Sequence, residues 1–478
     1  MMTDAQARDR IAQMLTVRRS ELNDFETLRR WATGQAGTPE VPKGSEPEIK
    51  RLAVIAKRNV IGMVIDTFAQ NLGVVGYRTA DEAADAAGWD LWQRARMDAR
   101  QGEVHRPALT YGLAYLVLRP LSAGGRVEWM PRSPRQLVAL YAHDDVSPWP
   151  ECAMEVWTQT VGGVKRLKGA LMDDEYVYPV DLGTAADLSR TRTASLSRIA
   201  SVALIDADAA YPHRAVYDGE GVCPVVRFVN GGDADSGPLG EVDPLIDSQR
   251  ALNEVNFDRH IVSRFGAFPQ KVITGWTAGP AEVLKASASR VWTFGDDRVR
   301  AAALPAASVE PYNSVLEEIV RHIAQVAQIA PTQIVGQMAN LSAEALWAAE
   351  ASQQRKLDAK RRAFGESWEL ALHLAVETES GSAAVPHGAE VVWRDTEAHS
   401  FGSIVDGVTK LAAQGVPIDL LMTLVPGMTQ QQIKAIRDRL GVDPTPSALA
   451  ALADPPLLAD AEEEERSGLL PDPGASDR

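Results

Sequence analysis

Over residues 313–329 apolar positions recur at three- and four-residue steps, at Leu316, Ile319, Val320, Ile323 and Ala327. That spacing puts them on one face of a helix. Glu317 and Glu318 stand in its first turns, where the helix dipole favours negative charge. Pro331 stops it, because proline disfavours the helical state of the residue before it. A short polar stretch follows, Thr332, Gln333, Ile334, Val335, Gly336, Gln337, Met338, Ala339 and Asn340. A second helix starts near Ser342, a good N-cap, with Glu344 behind it. It meets no Pro or Gly until Gly365 and continues to about Val376. At 1.5 Å per residue this is roughly 50 Å of helix. An ordinary helical hairpin has this pattern, and so does an elongated assembly, where helices of this length are common.

The rest of the chain splits into a helical start, a β-rich middle and a return to helices. Residues 4–33 predict a helix with Ile11, Leu15, Leu22, Phe25 and Leu28 on one side. Residues 34–47 form a Gly/Pro-rich loop. A second helix is predicted over 48–72, a short strand over 74–78, and a third helix over 80–100 carrying Trp89 and Trp92. A fourth leads into Tyr111. Short β-type runs then fall at 113–119, 127–130, 136–141, 154–160, 175–180 and 224–229, set apart by Gly, Pro and Asp clusters. Residues 181–198, rich in Ser, Thr and Ala, read as a loop. A helix over 244–264 carries Leu245, Leu252, Val255 and Ile261, and β-type runs at 271–274 and 290–294 separate it from the helix at 313. A strand at 391–393 and helices over 403–414 and 429–440 follow. The Pro-, Ala- and acid-rich tail from 444, with Glu462 to Glu465 consecutive, reads as disordered.

Composition narrows the class. At 478 residues the chain is too long for one core, and 45% hydrophobic with 24% charged residues is ordinary for a soluble protein. A net charge of −15 disfavours a protein that grips DNA with its outer surface, though weak, sliding contact with few phosphates stays open. Two cysteines, Cys152 and Cys223, give neither a disulfide framework nor zinc spacing, as suits a reducing compartment. The longest apolar run, near 113–118, is far too short to span a bilayer. The start of the chain, with Asp4, Arg8 and Asp9, lacks the signal-peptide pattern.

Catalytic motifs are missing from the sequence. It holds no Walker-type loop and no Gly-x-Gly-x-x-Gly after a strand. His-Glu-x-x-His and Gly-x-Ser-x-Gly are also absent. The eight histidines are scattered, with His260 and His322 on helices as polar surface positions. Asp233 and Asp235 imitate the start of a calcium loop, but Gly237 and Pro238 break it. Asp173, Asp174 and Glu175 are adjacent and read as a solvated turn. Residues 418–440 faintly suggest a helix-turn-helix with Lys434, Arg437 and Arg439, or an interaction hairpin. One feature is local. Arg355, Lys356, Lys360, Arg361 and Arg362 form a basic band on the long helix, opposed by Asp358. Either it is a salt-bridged helix face, or it contacts phosphate or a neighbouring subunit.

The ordered set of elements resembles a known family, the portal proteins of tailed double-stranded DNA phages, specifically the short portals typified by phages of Gram-positive bacteria. The resemblance spans residues 22–440 and rests on order rather than on one motif. It is carried by Trp31 and Gly34; by Asn59, Val64, Ile65, Asp66, Leu72, Val74 and Gly76; and by Trp92, Gln93, Met97 and Asp98 with Gly112, Tyr115 and Val117. Further on it runs through Pro224, Val225, Val226, Phe228 and Asn230, then Asp247, Leu252 and Asn253. Phe268, Pro269, Gln270, Gly275 and Trp276 continue it, followed by Ser342, Glu344, Ala345 and Leu346 and by Phe364, Gly365 and Trp368. One departure is Gly240-Glu241-Val242-Asp243, where relatives more often carry Ser after the Gly, which leaves the local cap open.

The resemblance implies an α+β, mainly helical portal fold with wing, stem, clip and crown, assembling as a cyclic ring, usually of twelve subunits. The wing would span 1–240, helical then β-rich. Stem helices would occupy 241–264 and 309–330, with the clip over 265–308 between them. A tunnel loop over 331–341 would line the channel with Thr332, Gln333, Val335, Gly336, Gln337, Met338 and Asn340. The long helix at 342–378 would cross the wing to a crown at 379–443, with the acidic tail at 444–478. Clip docking would use Lys271, Trp276, Arg290 and Trp292. Double-stranded DNA would pass through without sequence reading. The implied partners are the terminase large subunit, a head-tail connector or adaptor, and the major capsid and scaffold proteins. No cofactor, metal, catalysis or membrane is implied. The place would be the capsid vertex of the virion, reached from the host cytoplasm during assembly. A minor head or connector protein and a soluble multidomain enzyme are the competing readings. The helix–insertion–helix–loop–long-helix order weighs against the first, and the missing catalytic motifs weigh against the second.

Overall fold

Helix α1 (Asp4–Ala32) is fixed at its start by a reciprocal cap. The Thr3 hydroxyl accepts the Gln6 N–H, and the Gln6 side chain accepts the Thr3 N–H at 3.0 Å. Its stripe of Ala7, Ile11, Met14 and Leu15 is buried with Val138, Met154, Leu171 and Tyr178 of a sheet described below. The computed structural model describes residues 2–79, 82–121, 125–142, 147–184, 204–205, 207–232, 235, 237–266, 271–274, 300–303, 307–330, 333–334, 343–381, 388–396 and 401–416, with isolated positions from 421 to 436.

The helix expected over 48–72 is two helices, α2 (Pro47–Ile55) and α3 (Val60–Asn71). Asn59 lies between them with φ −111°, and its Oδ1 accepts the Gly62 N–H at 3.0 Å. A capping side chain offers the backbone an alternative to continuing the helix. Strand β1 (Val74–Arg78) follows. The helix expected over 80–100 is also broken, into α4 (Glu82–Arg94) and α5 (Met97–Arg100). Arg96 takes the left-handed region at φ 57°, and Asp98 holds the bend by accepting from Trp92 Nε1 at 2.8 Å and Gln93 Nε2 at 2.9 Å. Helix α6 (Gly102–Tyr111) ends at Gly112, whose φ of 90° suits a residue without Cβ.

Strand β2 (Leu113–Arg119) is buried along almost its whole length. It sits between β3 (Glu128–Arg132) and β12 (Val225–Val229) in an antiparallel three-stranded sheet. A six-stranded sheet takes β4 (Leu137–Leu140), β5 (Cys152–Val161), β6 (Val164–Met172), β7 (Tyr176–Thr184) and β8 (Leu204–Ile205) in that order, with β9 (Tyr211–Pro212) also on β7. Strand β6 has no counterpart among the expected runs. Its first half carries Lys165, Arg166 and Lys168, and Arg166 and Lys168 both reach Asp181 Oδ2 across the sheet, at 3.0 and 2.8 Å. Its second half, Ala170 to Met172, is core. Strands β10 (Val216–Tyr217) and β11 (Glu220–Gly221) form a hairpin through Asp218 and Gly219. Their φ values of 54° and 81° match a type I′ Asp-Gly turn.

A 3-10 turn (Asp243–Leu245) leads into α7 (Ile246–Gly266). Strand β13 (Lys271–Thr274) pairs antiparallel with β14 (Arg300–Ala303). The run expected over 290–294 lies outside the described residues. Helix α8 (Glu310–Ala327) begins earlier than expected, with Pro in its first turn. It ends at Gln328 in the left-handed region, before Pro331 is reached. The long helix α9 (Ala343–Ser380) has 38 residues and absorbs Gly365 at a buried position.

The chain divides into two units, Met1–Val74 with Arg78–Val391, and Val75–Tyr77 with Val392–Arg478. The division runs through β1 and β15 (Glu390–Trp393), which pair as a two-stranded sheet, and helix α10 (Phe401–Ala413) belongs to the second unit. Of the helix expected over 429–440, only 432–433 and 436 are described, all helical. The tail from 444 lies outside the described residues. Helices with separate antiparallel sheets make an α+β protein. Among the described residues no helix is long and apolar enough to cross a membrane.

Candidate functional site

The helix pair α7 and α8 starts from an unusual buried face. Gln249, Asn253 and Asn256, spaced to share one side of α7, are all buried. Gln249 Oε1 accepts the Val60 and Ile61 N–H groups at 3.0 and 3.2 Å. These are first-turn amides of α3, which lack partners inside their helix. Gln249 Nε2 donates to the Arg58 carbonyl at 2.8 Å and to Asn253 Oδ1 at 3.0 Å. Asn253 in turn accepts the Arg58 N–H and donates to the Gly37 carbonyl. Asn256 Nδ2 donates to the Ala56 carbonyl at 2.6 Å. The amides of α7 therefore fill the break between α2 and α3. Of the apolar marks expected on α7, Leu245 and Leu252 are buried, while Val255 and Ile261 are half-exposed. Gln249→Leu strands several buried backbone groups and is expected to lower the unfolding free energy by about 2 kcal/mol. An unchanged denaturation midpoint would contradict this account.

Helix α8 packs along α7, with Arg259 Nη1 donating to Asn313 Oδ1 at 3.2 Å. Ile323, Ala324 and Ala327 are its buried positions, continued by Ile329 and Ala330. Glu317, Glu318, Arg321 and His322 are exposed, and His260 on α7 is half-buried. Of the expected loop residues, Gln333 is described. It is exposed, and its N–H bonds the Ala330 carbonyl at 3.0 Å. Thr332, Val335, Gly336, Gln337, Met338 and Asn340 lie outside the described residues.

The basic band on α9 separates into inward and outward members. Lys360, its side chain 7% exposed, pairs with Glu241 Oε1 and donates to Asn230 Oδ1 at 2.6 Å. Lys356 reaches Glu241 Oε2 at 2.6 Å and the Ala327 carbonyl at 3.1 Å. Both ammoniums lie over the Phe68 ring, at 5.2 and 5.3 Å. Arg361 bonds Asp358 at 3.3 Å and the Asn71 carbonyl at 3.4 Å. Lys356 and Arg361 thus place positive charge at the C-terminal carbonyls of α8 and α3, where the helix dipole favours it. Of the two readings of the band, ion pairing describes Lys356, Lys360 and Arg361. Lys356 and Lys360 are internal ties, because Glu241 draws them in, while Arg355 and Arg362 remain exposed.

Glu241 is the residue that periodicity did not mark for this role, though the Gly240-Glu241 departure pointed to the place. Gly240 lets the segment approach α6: a Cβ there would meet the Thr110 carbonyl oxygen at 2.5 Å. The Glu241 N–H then bonds the Leu109 carbonyl at 2.7 Å. An aromatic group anchors α9 further along. Trp368 meets Trp92 and Phe228 edge-on at 4.9 and 4.7 Å, and donates its Nε1–H to His105 Nε2 at 2.9 Å. Of the expected docking residues, Lys271 lies in β13 opposite Ala303. Trp276, Arg290 and Trp292 lie outside the described residues.

These contacts fix α3, α7, α8 and α9 against one another through Lys356, Lys360, Arg361 and Gln249. Residues 46–441 match the family model described as phage portal protein, SPP1 Gp6-like, and the chain belongs to that family. It is 23% identical over 370 residues to the portal protein of Mycobacterium phage D29, covering 74% of this chain and 72% of that one. It is 22% identical over 377 residues to the portal protein of Mycobacterium phage L5, with the same coverage. Among solved structures it is similar to a chain from the virion of a native gene transfer agent particle. There the TM-score is 0.45 and the identity 14%, over 84% of this chain and 99% of the other.

Proposed function

We propose that the chain forms a closed ring at one capsid vertex, through which double-stranded DNA is packaged and later released. Family membership over residues 46–441 carries this reading. The paired helices α7 and α8 would be the stem, the β13–β14 insertion the clip, and residues 331–341 the loop nearest the DNA. The crown would lie within 379–443. Terminase, a head-tail connector, and capsid and scaffold proteins would dock on the ring, assembled in the host cytoplasm and carried in the virion. The internal ties of Lys356 and Lys360 support a stiff loop root. The exposed Arg355 and Arg362 are the members of the band left for phosphate or a neighbouring subunit. The work is mechanical: uncharged Gln333, Gln337, Met338 and Asn340 suit a sliding contact, since DNA affinity grows with the number of phosphates neutralised and a cation on each subunit would be repeated around the ring.

Light scattering after gel filtration, with images of the same peak, tests the ring. Twelve copies of a 51.7 kDa chain give about 620 kDa in a closed cyclic assembly. A chain that stays monomeric even with scaffold and capsid proteins added would end the proposal. Gln337→Lys in the ring is expected to slow packaging by adding a ring of phosphate-binding charge. An unchanged yield of packaged DNA would remove the loop from this role.

A further inference from the structure

The C-terminal turns of α9 hold the β10–β11 hairpin. Glu377 accepts the N–H groups of Asp218 and Gly219, both at 2.8 Å, so its carboxylate sits on the type I′ turn. Thr378 adds a contact to the Val216 N–H at 3.3 Å. His373, one helical turn before Glu377, faces the same point. Its Nε2 lies 3.4 Å from Glu377 Oε2 and 3.7 Å from Asp218 Oδ1. The three ligand-type atoms lie within 4.8 Å of one another. We propose that Asp218, His373 and Glu377 bind a divalent transition-metal ion of the zinc class.

Three physical points support the assignment. Nitrogen and oxygen ligands at about 2.0–2.2 Å from a tetrahedral zinc are roughly 3.3–3.5 Å apart, close to the His373 distances. Two carboxylates with a neutral imidazole carry −2, which a divalent ion cancels and a protonated imidazole would only halve. A cation is also favoured at the C-terminal end of α9, where Glu377 stands. An imidazole ligand selects zinc-like ions over magnesium and calcium, which take oxygen. The surroundings suit a held site with an open side. The His373 and Glu377 side chains are 6% and 1% exposed, and the Tyr217 ring rests 4.5 Å from the imidazole. Asp218, with 45% of its side chain exposed, forms the rim. A bound ion would clamp the end of the long helix to the hairpin.

The test is a zinc titration of the chelator-treated full chain, by calorimetry and thermal unfolding, with cobalt as a visible-absorption probe. Saturable binding that raises Tm and gives the intense bands of tetrahedral cobalt is expected. Asp218→Asn, which keeps a residue suited to the turn, should weaken zinc binding at least tenfold, and His373→Gln should weaken it further. If His373→Gln does not fold, Asp218→Asn decides alone. The proposal is overturned by the absence of saturable binding, by wild-type affinity in Asp218→Asn, or by calcium and magnesium acting as well as zinc.

Discussion

Glu241→Ala is expected to lower the unfolding free energy by about 3–5 kcal/mol, the usual cost of removing one partner from a buried ion pair. The substitution leaves Lys360 almost enclosed, with Asn230 as its remaining acceptor, and deprives Lys356 of its anion. Replacing the pair rather than one member separates charge from packing. Glu241→Leu with Lys360→Met should lose clearly less than Glu241→Ala, since a well-packed apolar substitute avoids the stranded ammonium. A pH profile gives a second readout. Burial alone would raise the Glu241 carboxyl, but the charges of Lys360 and Lys356 outweigh it and hold it below its usual 4.5. A depressed folded value means the contribution is complete above 4.5 and is lost as pH falls through the lower one. Glu241→Gln should therefore flatten the acid limb of the stability curve. A loss under about 1 kcal/mol for Glu241→Ala, within the range of an exposed pair, would mean that the cluster is decoration.

The parts that were legible in the sequence are those where one face of an element is apolar and the other is not. Helix α8 and strand β2 show it: Ile323 and Ala327, or Leu116 to Leu118, announce burial by type and spacing. Helix α9 was visible through its length without Pro or Gly. The breaks were not, because Asn59 starts a new helix as its cap and Arg96 interrupts one as a single left-handed residue, and neither alters the apolar period. Strand β6 was hidden because its charges face a partner three-dimensionally, at Asp181, not along the chain. The site failed to show for the same reason. Lys356 and Lys360 are one turn apart and look like solvated surface, and only Glu241, more than a hundred residues earlier, turns them inward. Gln249, Asn253 and Asn256 form a buried face that hydropathy scores as outside. Hydrogen-bonding partners set these positions, and partners are set by the fold.

Lowering the pH from about 7 to about 4 is expected to cost the folded chain about 3 kcal/mol through His105 alone, at 1.36 kcal/mol per pH unit of displacement. His105 is fully buried on α6, stacked on Phe364 at 5.4 Å. Burial pushes it from 6.5 down to about 3, against a smaller upward pull from the Leu72 carbonyl. The geometry gives the same answer. Its Nε2 accepts the Trp368 Nε1–H at 2.9 Å, so a proton there would set two N–H groups face to face. Below 6.5 the unfolded chain takes up the proton while the native one does not, until about 3. Stability therefore falls with pH across that window. His213, also buried and also lowered by its burial, acts in the same direction. His105→Gln offers Trp368 an amide oxygen and cannot titrate. Whatever it costs at neutral pH, its slope between about pH 6 and about pH 4 should be shallower by about one proton. Equal slopes in the two proteins would show that His105 is charged in the folded state. The aromatic anchor of the long helix would then be held by something other than a neutral imidazole.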